Sequence, residues 1–304
     1  MKKIAAIDIG SNSLKLLIAS ISKSNRIKVI LQINRIPCLA EGLKKTGNIA
    51  QANLNRAIRD LNYFKDLALQ NGVEEIHAAA TQALRKAKNR KAVLEQIRRE
   101  TGIRVEVISG EQEALLTYRG VLTGIRNLKP DRIVFDVGGA SSEFVIARGE
   151  ADTNAFSIPL GAVEITEKYR TDRITSPEKL GKIISEQIEF LRPKLSLTEI
   201  RCFDLIGCGG TVSTFKLLDN RPAGFNPELI HGKVITSETL MSQLYELAGM
   251  KLSERKRVIT FEPSRAKIIV AGGILLVSIM EIFGKSSMRV STRNLRWGFL
   301  LSKL

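Results

Sequence analysis

Two short segments of the 304-residue chain share one pattern of residues suited to binding phosphate. One reads Asp-Ile-Gly-Ser-Asn-Ser from Asp8, and the other reads Asp-Val-Gly-Gly-Ala-Ser from Asp136, 128 positions later. Apolar runs flank both segments, which predicts two β-hairpins with turns of small residues. Glycine lets the backbone approach a ligand closely, while successive N–H groups and hydroxyl side chains can donate to an anion. We therefore predict two phosphate-binding turns, formed by Gly10, Ser11, Asn12, Ser13, Gly138, Gly139, Ala140 and Ser141.

A carboxylate ends the first predicted strand of each hairpin. Mg²⁺ prefers few carboxylates and several waters, and it bridges phosphate oxygens. Asp8 and Asp136 are therefore candidate ligands for a divalent cation. The alternative, that both segments are ordinary hairpin turns, is weakened because the pattern occurs twice in register.

A third glycine-rich turn follows a short apolar run at residues 203–206 and opens a predicted helix. A strand, a glycine turn and a helix in this order can hold phosphate at the N-terminus of the helix. The alternative is that the glycines are needed only for steric reasons. The candidate phosphate-binding residues here are Gly209, Gly210 and Thr211.

The rest of the chain alternates predicted helices and strands, which indicates an α/β fold. Apolar spacing predicts short strands at residues 74–79 and 103–107. It predicts helices at residues 52–69, 111–121, 177–191, 237–247 and 265–283. The last helix is expected to be buried, with Gly272 and Gly273 as a contact surface.

Two hairpin-bearing halves resemble the duplicated architecture of the superfamily that contains actin, sugar kinases, acetate kinase and the heat-shock ATPases. The resemblance implies an α/β fold of two actin-like (ribonuclease H-like) domains, related by duplication, with a cleft between them. We expect residues 1–125 and a C-terminal helix at 290–304 to form one domain, and residues 126–289 to form the other.

Within that superfamily, the sequence resembles the exopolyphosphatase and guanosine pentaphosphate phosphatase family over nearly its whole length, in what looks like the short two-domain form. The matching segments include both hairpin turns, the third turn and several motifs between and after them. These motifs are Ala80-Thr-Gln-Ala-Leu-Arg85 with Asn89, Ser109-Gly-Glu-Gln-Glu-Ala114, Tyr118-Arg-Gly-Val121, Leu160-Gly-Ala-Val163, Glu254-Arg255, Arg265-Ala266 and Leu295-Arg-Trp-Gly298.

The resemblance also implies residue roles. To hydrolyse a phosphoanhydride, a protein must hold the phosphoryl group, offset its negative charge and orient a water molecule for attack. The family match assigns the role of general base to Glu113. The alternative for both Glu111 and Glu113 is an acid at the start of a helix, stabilised by the helix dipole, and we prefer it for Glu111. Arg85 is the expected phosphate clamp, because a guanidinium offers paired donors and stays charged. Asp136 and Glu143 are expected to hold Mg²⁺ or another divalent cation, or a water bound to that cation. The alternative for Glu143 is an exposed acid on a strand without a role in metal binding.

Three residues depart from the family pattern. Ala140 stands where a glycine is usual, Lys267 where an aspartate is usual, and Asn294 where a glycine is usual. The Cβ of Ala140 narrows the approach of phosphate to the backbone. We expect these departures to change substrate preference and rate rather than reaction class.

The charge points to a polyanionic partner. Lys and Arg number 47 against 31 Asp and Glu, a formal net charge of +16. Only 5% of the residues are aromatic, which argues against nucleic acid because single strands stack on aromatic side chains. Solvated basic helix faces are the alternative for the basic concentrations, which lie at residues 85–91, 98–99, 255–257 and 289–296.

Other classes of protein are disfavoured. Three cysteines and two histidines without metal-type spacing argue against a zinc, haem or disulfide-based protein. The longest apolar stretch is shorter than a membrane span, and the N-terminus lacks a signal-peptide pattern, so we expect a cytoplasmic protein without a membrane partner.

We expect a hydrolase that releases terminal orthophosphate from inorganic polyphosphate, with Mg²⁺ or a similar cation as cofactor. The first alternative is hydrolysis of the 5′ γ-phosphate of guanosine pentaphosphate, a stringent-response nucleotide. Further alternatives are a catalytically weak polyphosphate-binding protein and a kinase-like nucleotide binder. The sequence leaves a homodimer open.

Overall fold

The computed structural model of the chain divides into two compact units, residues 1–120 with 295–304, and residues 121–294. The domain limits expected at 125 and 290 lie within five residues of this division. They stay predictions, because two compact units do not establish that each folds as a separate domain. Within the described residues, no helix is both long and apolar enough to cross a membrane. The structure describes residues 2–22, 27–195, 200, 202–219 and 226–303, so Met1 and Leu304 of the expected first domain lie outside it.

The first unit is built on a five-stranded sheet with strand order β3-β2-β1-β4-β5. Strands β1, β2 and β3 are antiparallel, whereas β1, β4 and β5 run parallel. Its elements are β1 (Lys2–Ile9), β2 (Leu14–Ile21), β3 (Ile27–Arg35), α1 (Leu43–Thr46), α2 (Gln51–Gln70), β4 (Glu75–Ala80), α3 (Gln82–Lys86), α4 (Arg90–Thr101), β5 (Val105–Val107) and α5 (Gly110–Leu122). The C-terminal helix (Leu295–Leu301) completes this unit.

Side chains alternate between the two faces of this sheet, as the strand period of two requires. Ile7 and Ile9 belong to a core with the buried residues of α2 and α4, whereas Ile4 and Ala6 pack with the C-terminal helix. Asp8 shares the second face, because it lies two positions after Ala6. The sheet therefore places this carboxylate at the end of β1, on the side covered by the C-terminal helix.

The second unit contains a six-stranded sheet with strand order β10-β11-β9-β6-β7-β8. Its elements are β6 (Arg132–Val137), β7 (Ser142–Arg148), β8 (Asp152–Ile158), α6 (Ala162–Tyr169), α7 (Pro177–Leu195), β9 (Asp204–Cys208), α8 (Gly209–Leu218), β10 (Val234–Thr236), α9 (Ser237–Gly249), α10 (Leu252–Val258), α11 (Ile269–Ile282) and β11 (Ser287–Ser291). The C-terminal helix of the first unit follows β11 in the chain and is α12 (Leu295–Leu301).

The two sheets share one topology, which confirms the predicted duplicated α/β fold. In each, an antiparallel meander is followed by parallel strands: β3-β2-β1 then β4-β5, and β8-β7-β6 then β9-β11. The strands β1 and β6 are therefore equivalent, since each joins the meander to the parallel part through β4 or β9.

Helix α11 is buried along almost its whole length, as predicted, and its glycines allow α8 to approach closely. A Cβ at Gly272 would lie 2.5 Å from the Thr211 methyl group, and one at Gly273 would lie 2.5 Å from the Phe215 ring. The predicted start of the helix at Arg265 was wrong. Residues 263–267 form a 3₁₀ turn, closed by the bond from the Ile268 N–H to the Arg265 carbonyl (2.9 Å).

Arg255 is fully buried, although the sequence placed it in a basic surface run. Its guanidinium donates to the carbonyls of Leu247 (2.7 Å), Thr171 (2.6 Å) and Arg173 (2.8 Å). Burial lowers the pKa of Arg255 to about 10, so the side chain still carries its charge at neutral pH. The residue joins the end of α9 to the loop after α6 and is not available to a polyanion.

Candidate active site

The first predicted phosphate turn connects β1 and β2. The Gly10 N–H donates to the Ser13 carbonyl (3.0 Å) and closes the turn. A Cβ at Gly10 would lie only 2.9 Å from that carbonyl oxygen, which explains the glycine. The carbonyls of Ser11 and Asn12 accept from the N–H groups of Ala40 (2.8 Å) and Cys38 (3.1 Å). The segment after β3 thus fixes the carbonyl side of the turn.

The second turn, between β6 and β7, repeats this geometry 128 positions later. The Gly138 N–H donates to the Ser141 carbonyl (2.9 Å), and a Cβ at Gly138 would lie 2.9 Å from the same oxygen. Two carbonyls of this turn accept hydrogen bonds from the first residues of α6. The Ala162 N–H donates to the Gly138 carbonyl (2.9 Å), and the Val163 N–H donates to the Gly139 carbonyl (2.8 Å). The predicted repeat is therefore a repeat of backbone structure.

Gly161 allows α6 to reach the second turn. A Cβ at Gly161 would lie 2.3 Å from the Gly139 carbonyl oxygen and 2.6 Å from the Ala140 nitrogen. Backbone atoms cannot yield to a contact this short. Ala140, the departure from the family pattern within this turn, is partly exposed beside it.

The two hairpins carry different charges at equivalent positions. In the first, Asp8 lies directly opposite Lys15, and the Lys15 ammonium contacts the Asp8 carboxylate at 3.2 Å. In the second, Asp136 lies directly opposite Glu143. Glu143 is buried and accepts a hydrogen bond from the Ser157 hydroxyl (2.8 Å). One hairpin therefore pairs an acid with a base, whereas the other pairs two acids.

This difference bears on the predicted metal ligands. Two carboxylates facing one another across a hairpin fit a divalent cation that keeps several waters, as Mg²⁺ does. Asp136 and Glu143 meet that requirement. Asp8 already has the Lys15 ammonium as a counter-charge. Among the described residues, no group of three or more His, Cys, Asp or Glu side chains is gathered as a metal site.

The third turn joins β9 to α8 beside the second hairpin. Gly209 has φ +82°, and a Cβ there would lie 2.0 Å from a carboxylate oxygen of Asp136. A Cβ at Gly210 would lie 1.9 Å from a terminal nitrogen of Arg265. The Thr211 hydroxyl donates to the Val137 carbonyl (3.0 Å), which ties α8 to β6. The glycines thus allow a carboxylate and a guanidinium to lie against this turn.

Arg265 is a candidate site residue that the sequence indicated only as part of the Arg265-Ala266 motif. Its side chain is 11% exposed and forms an ion pair with Glu262 (2.5 Å). Its guanidinium covers Gly210 at the N-terminus of α8, where the helix dipole already favours an anion. No sequence spacing could have found this contact, because the two residues are 55 positions apart.

The predicted catalytic residues of the first unit contact one another. The Arg85 guanidinium donates to the Glu113 carboxylate at 2.6 Å, and the two side chains are 16% and 12% exposed. Arg85 also donates to the carbonyl of Ile108 (3.1 Å) and the side chain of Gln82 (3.1 Å). These contacts fix the guanidinium between the start of α3 and the start of α5.

Helix α5 positions Glu113 in its first turn. The Ser109 hydroxyl accepts from the Gln112 N–H (3.0 Å), and the Gln112 side chain accepts from the Ser109 N–H (2.8 Å). This reciprocal capping box fixes the start of the helix. Glu113 is partly buried toward Arg85, whereas Glu111 is exposed, which agrees with treating Glu111 as a helix-terminal acid.

The candidate residues lie at the carboxyl ends of parallel strands, where ligands bind in open α/β sheets. In the first unit, β1 precedes the first turn, β4 precedes the helix of Arg85, and β5 precedes the helix of Glu113. In the second unit, β6 and β9 precede the second and third turns. Of the other departures, Lys267 is exposed and Asn294 is buried.

Comparison with known proteins decides the family. The family model described as "Ppx/GppA phosphatase family" matches residues 17–304. The chain belongs to this family. The resemblance found in the sequence is thereby confirmed, and with it the prediction of a phosphate-releasing hydrolase.

Relatives and solved structures agree with the assignment. The chain is 26% identical to Exopolyphosphatase 2 of Mycobacterium tuberculosis, covering 99% of this chain and 98% of the relative. It is 29% identical to the Bifunctional 3-dehydroquinate synthase/phosphatase of Fusobacterium nucleatum, covering 98% of this chain but only 46% of that protein's length. A crystal structure of the Aquifex aeolicus Ppx/GppA family member is 32% identical, with a TM-score of 0.83 over 99% of this chain and 97% of that one.

Proposed function

We propose that this protein releases terminal orthophosphate from inorganic polyphosphate by hydrolysis. The observation that carries the proposal is the glycine turn, which occurs twice, 128 positions apart. Each copy is closed by a bond from the glycine N–H to the carbonyl three residues later, of 3.0 Å in the first turn and 2.9 Å in the second. Each turn offers backbone N–H groups suited to a phosphate group, which is the repeating group of this substrate. Relatives named exopolyphosphatases, similar over almost the whole chain, support the same substrate.

Arg85 and Glu113 are the proposed catalytic residues. A guanidinium has five N–H donors, so Arg85 can hold Glu113 and still donate to oxygens of the phosphoryl group. A carboxylate in the first turn of α5 can orient a water and accept its proton as the water attacks phosphorus. The ion pair of 2.6 Å fixes the carboxylate for this task.

The glycine turns are the proposed phosphate-binding elements. In both hairpin turns, carbonyls are bonded to a neighbouring segment and the first glycine N–H closes the turn, so the following N–H groups and the hydroxyls are the proposed donors to an anion. Arg265 over Gly210 adds a cationic contact at the third turn. Thr211 supports that turn from behind through its bond to β6.

Asp136 and Glu143 are the residues that would hold Mg²⁺ or a similar divalent cation. Such a cation would offset the charge that develops on the phosphate oxygens. In the first hairpin, Lys15 provides a positive charge beside Asp8 without any metal. A metal role for Asp8, a cytoplasmic location, a part in the stringent response and a homodimer all stay predictions.

The test is phosphate release from long-chain polyphosphate, guanosine pentaphosphate and ATP, each measured with and without Mg²⁺. We expect polyphosphate to give the highest kcat/KM, with cation-dependent release. A higher kcat/KM for guanosine pentaphosphate would replace the proposed substrate by the nucleotide. Release from none of the three, by folded protein, would contradict the proposed function.

A further inference from the structure

Six exposed basic side chains lie on two short segments of the first unit, one around α1 and one that runs from the end of α3 to the start of α4. Neither segment, residues 42–49 or residues 85–92, contains an acidic or an aromatic residue. The sequence of each segment therefore carries a net positive charge. We call these side chains the basic rim; they are Lys44, Lys45, Lys86, Lys88, Arg90 and Lys91.

Direct contacts join the two segments into one surface. The Lys88 N–H donates to the Gly47 carbonyl (2.8 Å). The Asn89 side chain accepts from the Ile49 N–H (3.0 Å) and donates to the Ile49 carbonyl (2.9 Å). The Lys88 stem covers Gly47, where a Cβ would lie 2.9 Å from Lys88 Cε. The basic rim is thus a single structural feature.

The basic rim begins beside the candidate active-site residues of the same unit. The Ala40 N–H donates to the Ser11 carbonyl in the first phosphate turn. Lys44 follows Ala40 by four residues, a span of at most about 14 Å. Lys88 follows Arg85 by three residues, at most about 11 Å. Exposed charges act over about 8 Å at physiological salt, so the positive potential of the basic rim extends toward the first turn and Arg85.

We infer that the basic rim binds the part of a polyphosphate chain that extends beyond the terminal group being cleaved. This inference rests on the proposed function. Lysine ammonium groups are flexible point charges that suit a repeated anion without fixed geometry. The absence of aromatic residues from both segments favours polyphosphate over single-stranded nucleic acid, whose bases need stacking partners.

The test compares substrates of two lengths in one variant. Lys45→Gln, Lys86→Gln and Lys88→Gln, combined, remove three exposed charges and none of the proposed catalytic groups. We expect KM for long-chain polyphosphate to rise by about tenfold, because three exposed ion contacts are lost. KM for tripolyphosphate should change by less than about twofold, and kcat should be retained for both. Equilibrium binding of long-chain polyphosphate, measured directly, should weaken in parallel.

A charge-matched control separates the basic rim from the overall charge of the protein. Lys28→Gln, Arg98→Gln and Arg99→Gln also remove three exposed charges from the first unit. Arg98 lies eight residues after Arg90, about 12 Å along α4. We expect the control to leave both KM values unchanged within about twofold. Thermal unfolding of both variants checks that they are folded.

Three results would overturn the inference. Equal effects of the two variants on long-chain KM would show a general charge effect. Equal effects of the rim variant on both substrate lengths would show that it acts at the cleavage site. Tighter binding of single-stranded RNA than of polyphosphate, lost in the rim variant, would assign the surface to nucleic acid. If the wild type releases no phosphate, the proposed function fails, and the direct binding measurement still decides the role of the basic rim.

Discussion

Glu113→Gln separates a catalytic carboxylate from a structural one. The substitution keeps the shape of the side chain and one oxygen that can accept from Arg85, but it removes the proton acceptor. General-base catalysis contributes roughly 10² to 10⁴ in rate, so kcat for phosphate release should fall by that factor. KM should change little, because Arg85 and the turns still bind phosphate.

The structural cost of the same change can be bounded. The Arg85–Glu113 pair is a charge-assisted hydrogen bond of 2.6 Å between side chains that are 16% and 12% exposed. Exchanging such a bond for a neutral one lowers the free energy of unfolding by about 1 kcal/mol. A domain loses only a few degrees in Tm for that amount, so the variant remains folded at the assay temperature.

Glu111→Gln is the matched control, since Glu111 lies in the same first turn but is exposed. It loses the same interaction with the helix dipole, about 0.3 to 1 kcal/mol, and should retain full activity. The assay is orthophosphate release at saturating polyphosphate, with Tm measured in parallel. If folded Glu113→Gln releases phosphate as fast as Glu111→Gln, the general-base assignment is refuted.

Three further substitutions, two of them with a matched control, test the fold and the proposed cation site. Gly161→Ala should lower the free energy of unfolding by about 1 to 3 kcal/mol, because its Cβ would lie 2.3 Å from a backbone oxygen. The control Gly181→Ala, in open space within α7, should raise the free energy of unfolding by about 0.5 to 1 kcal/mol. Urea unfolding measures both. Arg255→Met should lower the free energy of unfolding by about 3 kcal/mol or more in the same assay, because buried carbonyls lose their hydrogen-bond donor. Its control, the exposed Arg257→Gln, should lower it by less than about 0.5 kcal/mol. Asp136→Asn should weaken Mn²⁺ binding by at least about tenfold in titration calorimetry, and unchanged affinity would place the cation elsewhere.

The hairpin turns could be predicted because their signal is local. Each needs a glycine at one fixed position, since a Cβ there would lie 2.9 Å from the carbonyl three residues on. The apolar runs on either side determine the strands, and the repeat identifies the duplicated fold. Helix limits were also predicted closely where apolar spacing is regular, as in α2.

Contacts between distant segments could not be predicted in this way. Arg255 and Arg257 look alike in the sequence, yet only Arg255 faces the carbonyls of a loop more than 80 residues earlier. The start of α11 was misplaced because the segment before it forms a 3₁₀ turn that holds Arg265 over Gly210. Lys15 gave no signal of its own, because its role comes from its cross-strand partner Asp8.

The equivalent positions Lys15 and Glu143 show how two copies of one backbone can take different roles. Both hairpins keep the glycine turn, the closing bond and the leading aspartate, so we propose anion binding by backbone N–H groups for both. The side chain opposite that aspartate is a base in one copy and an acid in the other. The Lys15 ammonium already supplies a positive charge beside Asp8, whereas the two facing carboxylates of Asp136 and Glu143 are a suitable pair of ligands for a divalent cation. We therefore expect a divalent cation to bind more tightly at the second hairpin than at the first, and we propose that both hairpins bind phosphate.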